Sequence, residues 1–180
     1  MTPDVRMPDI SPDMHDFLAL LVKYGVQFAL CGGFAVTYYG FIRTTMDIDI
    51  LIYPSAGNAG RVMQALAEFG FGNAGIPASA FEAPGSVITL GAQPNQIDLL
   101  TSMSTECADA VFADLHITEI WGMRIPVVSR RSLLQAKKET NRPKDRIDYE
   151  ELIAMTTGCE SYSPHNPASF CRKFRNRRKK

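Results

Sequence analysis

Residues 46–53 read Met-Asp-Ile-Asp-Ile-Leu-Ile-Tyr, an apolar strand pattern broken by two acids two positions apart. Side chains alternate along a strand, so Asp47 and Asp49 share one face while Ile48 and Ile50 share the other. Two carboxylates side by side on a half-buried strand repel each other and resist desolvation. A divalent cation between them removes that cost. No other stretch of the chain limits the fold so sharply. Just upstream an apolar run ends at Cys31, Gly32-Gly33 follows, and Arg43-Thr44-Thr45 leads into the acidic strand.

The rest of the chain reads as short elements of one domain. Residues 1–10 form a loose, flexible lead-in. Ser11-Pro12-Asp13 is a helix start, with Ser as cap, Pro at the first helical position and Asp at the positive end of the dipole. Phe17, Leu20, Leu21 and Tyr24 recur at helical spacing, and Gly25 closes the helix. Residues 26–31 read as a strand running into a Gly32-Gly33 turn, and 34–39 as a short helix ended by Gly40. A helix over 58–69 turns Val62, Leu66 and Phe69 inward, and the Ala-, Gly- and Pro-rich segment 73–85 reads as a loop. Residues 87–90 and 96–100 make one hairpin, a short helix covers 106–112, and 115–120 with 123–128 make a second hairpin about Trp121-Gly122. Trp121 is expected as a packed hairpin residue rather than a base-stacking platform. Helices over 130–140 and 143–155 finish the pattern. The expected architecture is α+β: a mixed sheet flanked by helices, with C-terminal helices, over residues 11–156. Residues 157–180 are expected to be a disordered basic tail.

A third acid joins the first two. Asp98 interrupts Gln-Ile-Asp-Leu-Leu, a separate apolar strand. Three carboxylates on neighbouring strands make an oxygen-only site suited to Mg²⁺, one or two ions, which completes its shell with water and substrate phosphates. Such ions polarise a phosphoryl oxygen and stabilise a leaving pyrophosphate. Asp98 is also placed to act as a general base toward an acceptor hydroxyl. The Gly32-Gly33 backbone can approach a phosphate closely because it carries no Cβ.

The pattern Gly-Gly-x-Ala-x-x-x-x-Gly-x-x-Arg-x-Thr-x-Asp-x-Asp runs from Gly32 to Asp49, with the lone Asp98 downstream. It resembles the signature of the nucleotidyltransferase superfamily of the DNA polymerase beta type. Leu134, Lys137, Arg142-Pro143-Lys144-Asp145 and Asp148 extend the likeness toward small bacterial AbiEii-type nucleotidyltransferases, over residues 14–155. The resemblance implies a nucleotidyltransferase fold and Mg²⁺-dependent transfer of a nucleoside monophosphate from a nucleoside triphosphate. It implies Asp47, Asp49 and Asp98 as catalytic metal ligands, with Gly32, Gly33, Arg43, Thr45, Lys137, Arg142 and Lys144 on the nucleotide. It leaves three readings open. These are a toxin of a toxin–antitoxin pair acting on tRNA or protein, with an antitoxin partner; an antibiotic nucleotidyltransferase; and an inactive nucleotide-binding module. Lys137 rather than Lys138 is expected to face the cleft, and Asp148 is expected to pair with Lys144 one helical turn away.

Charge sharpens the question of the acceptor. Lys and Arg number 19 and so do Asp and Glu, but residues 172–180 hold seven of the bases and no acid, leaving 12 bases against 19 acids before them. An acidic body that handles polyanions must gather its cations locally or borrow charge from a metal. The basic tail is a solvated end or a nucleic-acid contact. No apolar run reaches the ~18 residues of a membrane helix, so no membrane contact is expected. Four scattered cysteines match neither a metal motif nor a disulfide framework, and a reduced cytoplasmic setting is expected.

Overall fold

Ser11 opens the first helix as its sequence demands: its hydroxyl accepts the Met14 N–H at 3.3 Å and Pro12 takes the first turn. Such a cap stabilises a helix by about 1 kcal/mol. This helix, α1 (Pro12–Lys23), buries Phe17, Leu18 and Leu21 completely. Gly25, at φ +61°, ends it with a paired closure, Gly25 N–H to the Val22 carbonyl and Val26 N–H to that of Leu21. The structure, a computed structural model, describes residues 7–157. The basic tail therefore lies outside the described residues, as do residues 1–6. Residues 8–10 run beside the core, where the Pro8 carbonyl accepts the Trp121 indole N–H at 2.9 Å and Ile10 packs on the core.

The elements then follow as β1 (Phe28–Leu30), α2 (Gly32–Tyr38), β2 (Asp47–Ile52) and α3 (Ala56–Leu66). After them come β3 (Val87–Leu90), β4 (Gln96–Leu100), α4 (Ala108–Phe112), β5 (His116–Ile120), β6 (Met123–Val127), α5 (Arg130–Thr140) and α6 (Pro143–Thr157). The six strands form one mixed sheet in the order β3-β4-β2-β1-β6-β5. β2 runs parallel to β4 and antiparallel to β1, and β6 runs parallel to β1.

Period two governs the centre of this sheet. Ile48, Ile50, Ile52, Ile97 and Leu99 are at most 1% exposed and join Phe17, Leu21, Val62 and Leu66 in a single core. Asp47, Asp49 and Asp98 alternate with them on the opposite face and are only partly covered. Asn58 fastens the ends of the central strands, accepting the Gln27 N–H at 2.8 Å and donating to the Gln27 and Tyr53 carbonyls at 3.0 and 2.8 Å.

Three segments differ from the sequence expectation. Gly32-Gly33 is not a turn ahead of a helix but its first two residues, so α2 begins two positions earlier than apolar spacing suggests. Helix α3 yields to a π-type turn at Ala67–Phe71, where Gly70 sits at φ +104°. Inside the Ala-, Gly- and Pro-rich segment a 3-10 turn, Ala78–Phe81, buries Phe81 completely. One large ring anchors a segment whose small residues carry no periodic signal. The Trp121-Gly122 hairpin forms as expected, with φ of 52° and 74° at the two turn residues and Trp121 packed edge-on against Phe34 at 5.5 Å.

Candidate active site

The parallel pairing of β2 with β4 sets Asp49 directly beside Asp98 and Asp47 beside Gln96. Paired residues in neighbouring strands point to the same face, so the three acids share one surface. Each is oriented by a neutral donor. Thr45 Oγ1 donates to Asp47 Oδ1 at 2.7 Å, and the Gly33 N–H lies 3.4 Å from Asp49 Oδ2. Asp98 accepts from Thr89 Oγ1 at 2.6 Å and from Gln96 Nε2 at 2.9 Å. Burial, the Asp47 charge and the Asp98 charge hold the Asp49 carboxyl above the usual carboxylate range, against a smaller opposing effect of the Gly33 N–H and Lys137. With the side chains so arranged, no group of three His, Cys, Asp or Glu converges as a ready-made ligand set among the described residues. Asp47 turns toward Thr45 and Asp98 toward Thr89 and Gln96 instead.

Gly32 and Gly33 fit against this surface because they lack side chains. Gly32 has φ +57°, and a Cβ there would fall 1.8 Å from Asp49 Oδ2. At Gly33 a Cβ would meet Thr45 Oγ1 at 2.8 Å and Arg43 Nη2 at 2.9 Å. The first turn of α2, the Arg43–Thr45 approach and the acid pair of β2 are thus pressed into one wall. Cys31, the residue before the glycines, is buried, and burial followed by the Asp49 charge pushes its thiol well up, so it stays a neutral packing group.

The basic residues enter from α5 and α6, on two buried acids. Asp145 and Asp148 are 0% and 1% exposed. Asp148 pairs with Arg43 Nε at 3.0 Å and with Lys137 Nζ at 2.9 Å. Asp145 accepts from Lys137 at 2.7 Å, Arg142 Nε at 2.8 Å and Thr140 Oγ1 at 2.9 Å. Burial would raise the Asp145 carboxyl, but Lys137, Thr140 and Arg142 together outweigh it and hold the group below the usual carboxylate range. The expected Asp148–Lys144 pair is absent. Asp148 faces inward from α6, where it meets Arg43 of the α2–β2 connection, whereas Lys144 is exposed and lines the cleft.

These walls enclose a cleft of about 460 Å³. Nine of the ten residues singled out from the sequence line it; the tenth, Thr45, touches it through Asp47. Lys137 faces the cleft and Lys138 is exposed, as the spacing from Leu134 suggests. Sequence reasoning passed over Thr89, Gln96 and Thr140 as partners of the acids. The first was findable: a hairpin closing at Gly91–Asn95 places Thr89 opposite Asp98. Tyr38 and Tyr39 are both buried, and the Tyr39 hydroxyl donates to the Val128 carbonyl at 2.8 Å rather than facing the cleft.

No protein-family model matches the chain, and no curated protein matches it. Solved structures do. The antibiotic-resistance factor ANT(2'')-Ia in solution aligns at a TM-score of 0.52 and 16% identity, over 82% of this chain and 84% of that one. The chain has a nucleotidyltransferase fold. The crystal structure of ANT(2'')-Ia in complex with adenylyl-2''-tobramycin aligns at 0.52 and 15%, covering 82% and 88%. The lincomycin-bound lincosamide antibiotic adenylyltransferase LnuA aligns at 0.50 and 14%, covering 82% and 99%. None of the described helices is long and apolar enough to cross a membrane.

Proposed function

We propose that this chain is a Mg²⁺-dependent nucleotidyltransferase that moves a nucleoside monophosphate from a nucleoside triphosphate to an acceptor hydroxyl. The observation that carries the reading is the register: Asp49 and Asp98 are strand partners, Asp47 shares their face, and Gly32 lies against Asp49 where any side chain would collide. The donor set fits the ion. All three are carboxylates, the group Mg²⁺ prefers, and burial together with the neighbouring acid charges raises the Asp49 carboxyl. Asp47, Asp49 and Asp98 would hold one or two ions, which when bound neutralise phosphate charge and polarise the phosphoryl group.

The chain's own residues supply placement. Gly32 and Gly33 leave a floor free of side chains, so phosphate can approach the backbone. Arg43, fixed by Asp148, presents its terminal nitrogens beside Gly33. Lys137 is held between two acids and sets the electrostatic character of the wall, while Arg142 and Lys144 reach the cleft from the start of α6. Together these cations favour the triphosphate end, so pyrophosphate leaves toward α5 and α6. In-line geometry then brings the acceptor from the opposite side, past Asp98. There Asp98, oriented by Thr89 and Gln96, takes the hydroxyl proton.

A small-molecule hydroxyl is the acceptor that the fold neighbours support, since those proteins are described with tobramycin and lincomycin derivatives or ligands. The tRNA, protein and antitoxin partners of the toxin reading have no counterpart among them. Incubation with α-labelled triphosphates, Mg²⁺ and a small-molecule extract tests the reading. Label should pass to an acceptor with release of pyrophosphate, and Asp47→Asn should slow transfer by at least roughly a hundredfold. Pyrophosphate release that survives Asp47→Asn would end the reading.

A further inference from the structure

Between β4 and α4 the chain runs along the cleft as a strap, residues 102–106, with no regular structure. Ser102 to Glu106 make no backbone–backbone hydrogen bond among the described residues. The strap continues the acid-bearing face of β4: Asp98, Leu100 and Ser102 alternate at period two and all line the cleft. On its other side lies a second cavity of about 510 Å³, and Ser102 to Thr105 border both spaces. Met103, partly buried against the core, is the strap's one apolar side chain. Packing therefore fixes little of the strap's position, and polar bonds must set the rest.

Those bonds come from α5. Glu139 accepts the Thr105 N–H at Oε2 and the Thr105 hydroxyl at Oε1, each at 2.7 Å, and Gln135 Nε2 donates to Oε1 at 2.6 Å. One carboxylate thus takes both donors of one residue, in the stronger, charge-assisted kind of hydrogen bond. The Thr105 hydroxyl, then Gln135 and the Thr105 N–H, hold the Glu139 carboxyl below the usual carboxylate range. Arg131, in the first turn of α5, adds a pair with Glu106 at 2.5 Å, but its side chain is 60% exposed and the pair is weak. Helix rules give no reason for an acid here: Glu139 is the last residue but one of α5, at the negative end of the dipole. Nor does the cleft, since an acid on the wall that carries Lys137 and Arg142 would repel a triphosphate. Thr105 supplies the reason by taking up both oxygens.

We infer that Glu139 is a positioning residue for the transfer. Through Thr105 it ties the end of the Asp98 strand to α5, and so fixes the distance between the metal-ligand wall and the Lys137 wall. This rests on the nucleotidyl-transfer reading and adds the tie that keeps its two halves in register. Lys137 lies two residues before Glu139 and Asp98 seven before Thr105, so the tie is close in the chain to both. Reacting atoms must meet at about 3–3.5 Å, and a displacement of about 1 Å costs about a hundredfold in rate. The cations do not depend on the tie: Arg43, Lys137 and Arg142 are held by Asp145 and Asp148. Loss of the tie should slow transfer and leave triphosphate binding intact.

Transfer is followed with the full-length protein, Mg²⁺, a small-molecule extract and α-labelled ATP, GTP, CTP or UTP. No transfer by the parent would count against nucleotidyl transfer itself. Given transfer, Glu139→Ala should lower kcat by roughly tenfold to a hundredfold, with KM for the triphosphate within about twofold. Glu139→Gln should recover most of the rate, because its amide still accepts the Thr105 N–H and can donate to the Thr105 hydroxyl. Thr105→Val keeps the main-chain bond and should fall between the two; added to Glu139→Ala it should slow transfer no further. Hydrogen exchange over residues 101–107 reads the strap directly and should quicken in Glu139→Ala but not in Glu139→Gln. Three results overturn the inference. Parent kcat in Glu139→Ala would leave only a structural role, and unchanged exchange there would remove the tie. Glu139→Gln as slow as Glu139→Ala would mean that the charge itself acts on the substrate.

Discussion

Asp145 and Asp148 on α6 are at most 1% exposed and each meets two cations, whereas Asp47, Asp49 and Asp98 on β2 and β4 have no cation within ion-pair distance among the described residues. Both sets line or back the same cleft. The first is closed: its charges are answered by Lys137, Arg43 and Arg142, and it ties α5, α6 and the α2–β2 connection together. The second is open, and burial with the neighbouring acid charges holds the Asp49 carboxyl high. A closed cluster is explained by the fold alone. An open one needs a ligand of opposite charge to explain it.

The comparison breaks most visibly at Asp148. Replacing it by Ala leaves Arg43, whose side chain is 22% exposed, without its carboxylate, and takes one of two from Lys137. Loss of one partner of a buried pair costs about 3–5 kcal/mol. A fall in Tm of roughly 10 °C follows for a chain of this size, read by thermal denaturation. If Asp148→Ala melts like the parent, the cluster is not the tie described here.

Gly32→Ala comes next. It forces a side chain to a positive φ, which costs about 1–2 kcal/mol before the collision with Asp49 is counted. The expected outcome is a folded protein by circular dichroism that has lost triphosphate binding. Retained binding would separate Gly32 from the acid wall.

Asp49→Asn should act in the opposite sense to Asp148→Ala. A carboxyl whose folded pKa is raised favours the fold in its protonated form, and that benefit is lost as pH rises through the folded pKa. Removing the charge should therefore stabilise the metal-free protein at pH 7 by roughly 2–4 °C. The gain should vanish below the ordinary carboxylate range, near pH ~4. Asp145, held low, behaves the other way: its contribution is present above that range and is lost as pH falls through its depressed pKa. Tm against pH for Asp49→Asn and Asp145→Asn should give curves of opposite sign; parallel curves would erase the distinction. Arg142→Ala has the smallest expected effect on stability, under about 1 kcal/mol, because its side chain is 63% exposed.

Much of this was legible beforehand, for identifiable reasons. Strand periodicity put Asp47 and Asp49 on one face, and a lone acid in an apolar strand marked Asp98. What periodicity could not supply was which strands are neighbours, so the Asp49–Asp98 partnership had to wait for the β2–β4 pairing. Local rules also misled. Helix spacing suggested Lys144 for Asp148, yet a buried acid follows burial rather than sequence distance and went to Arg43, 105 positions away. Glycine signals turns in general, and here two of them open a helix because only they clear Asp49, Thr45 and Arg43. The Phe81 anchor had no periodic neighbours to reveal it.

The central claim is that the open acid set is completed by a metal ion that arrives with a nucleotide. Titration calorimetry of each nucleoside triphosphate into the full-length protein, with and without Mg²⁺, tests it most directly beside the Asp47→Asn, Asp49→Asn double variant. Binding should require Mg²⁺ in the parent and be lost in the variant. Binding of equal strength without Mg²⁺, or unchanged in the variant, would contradict it.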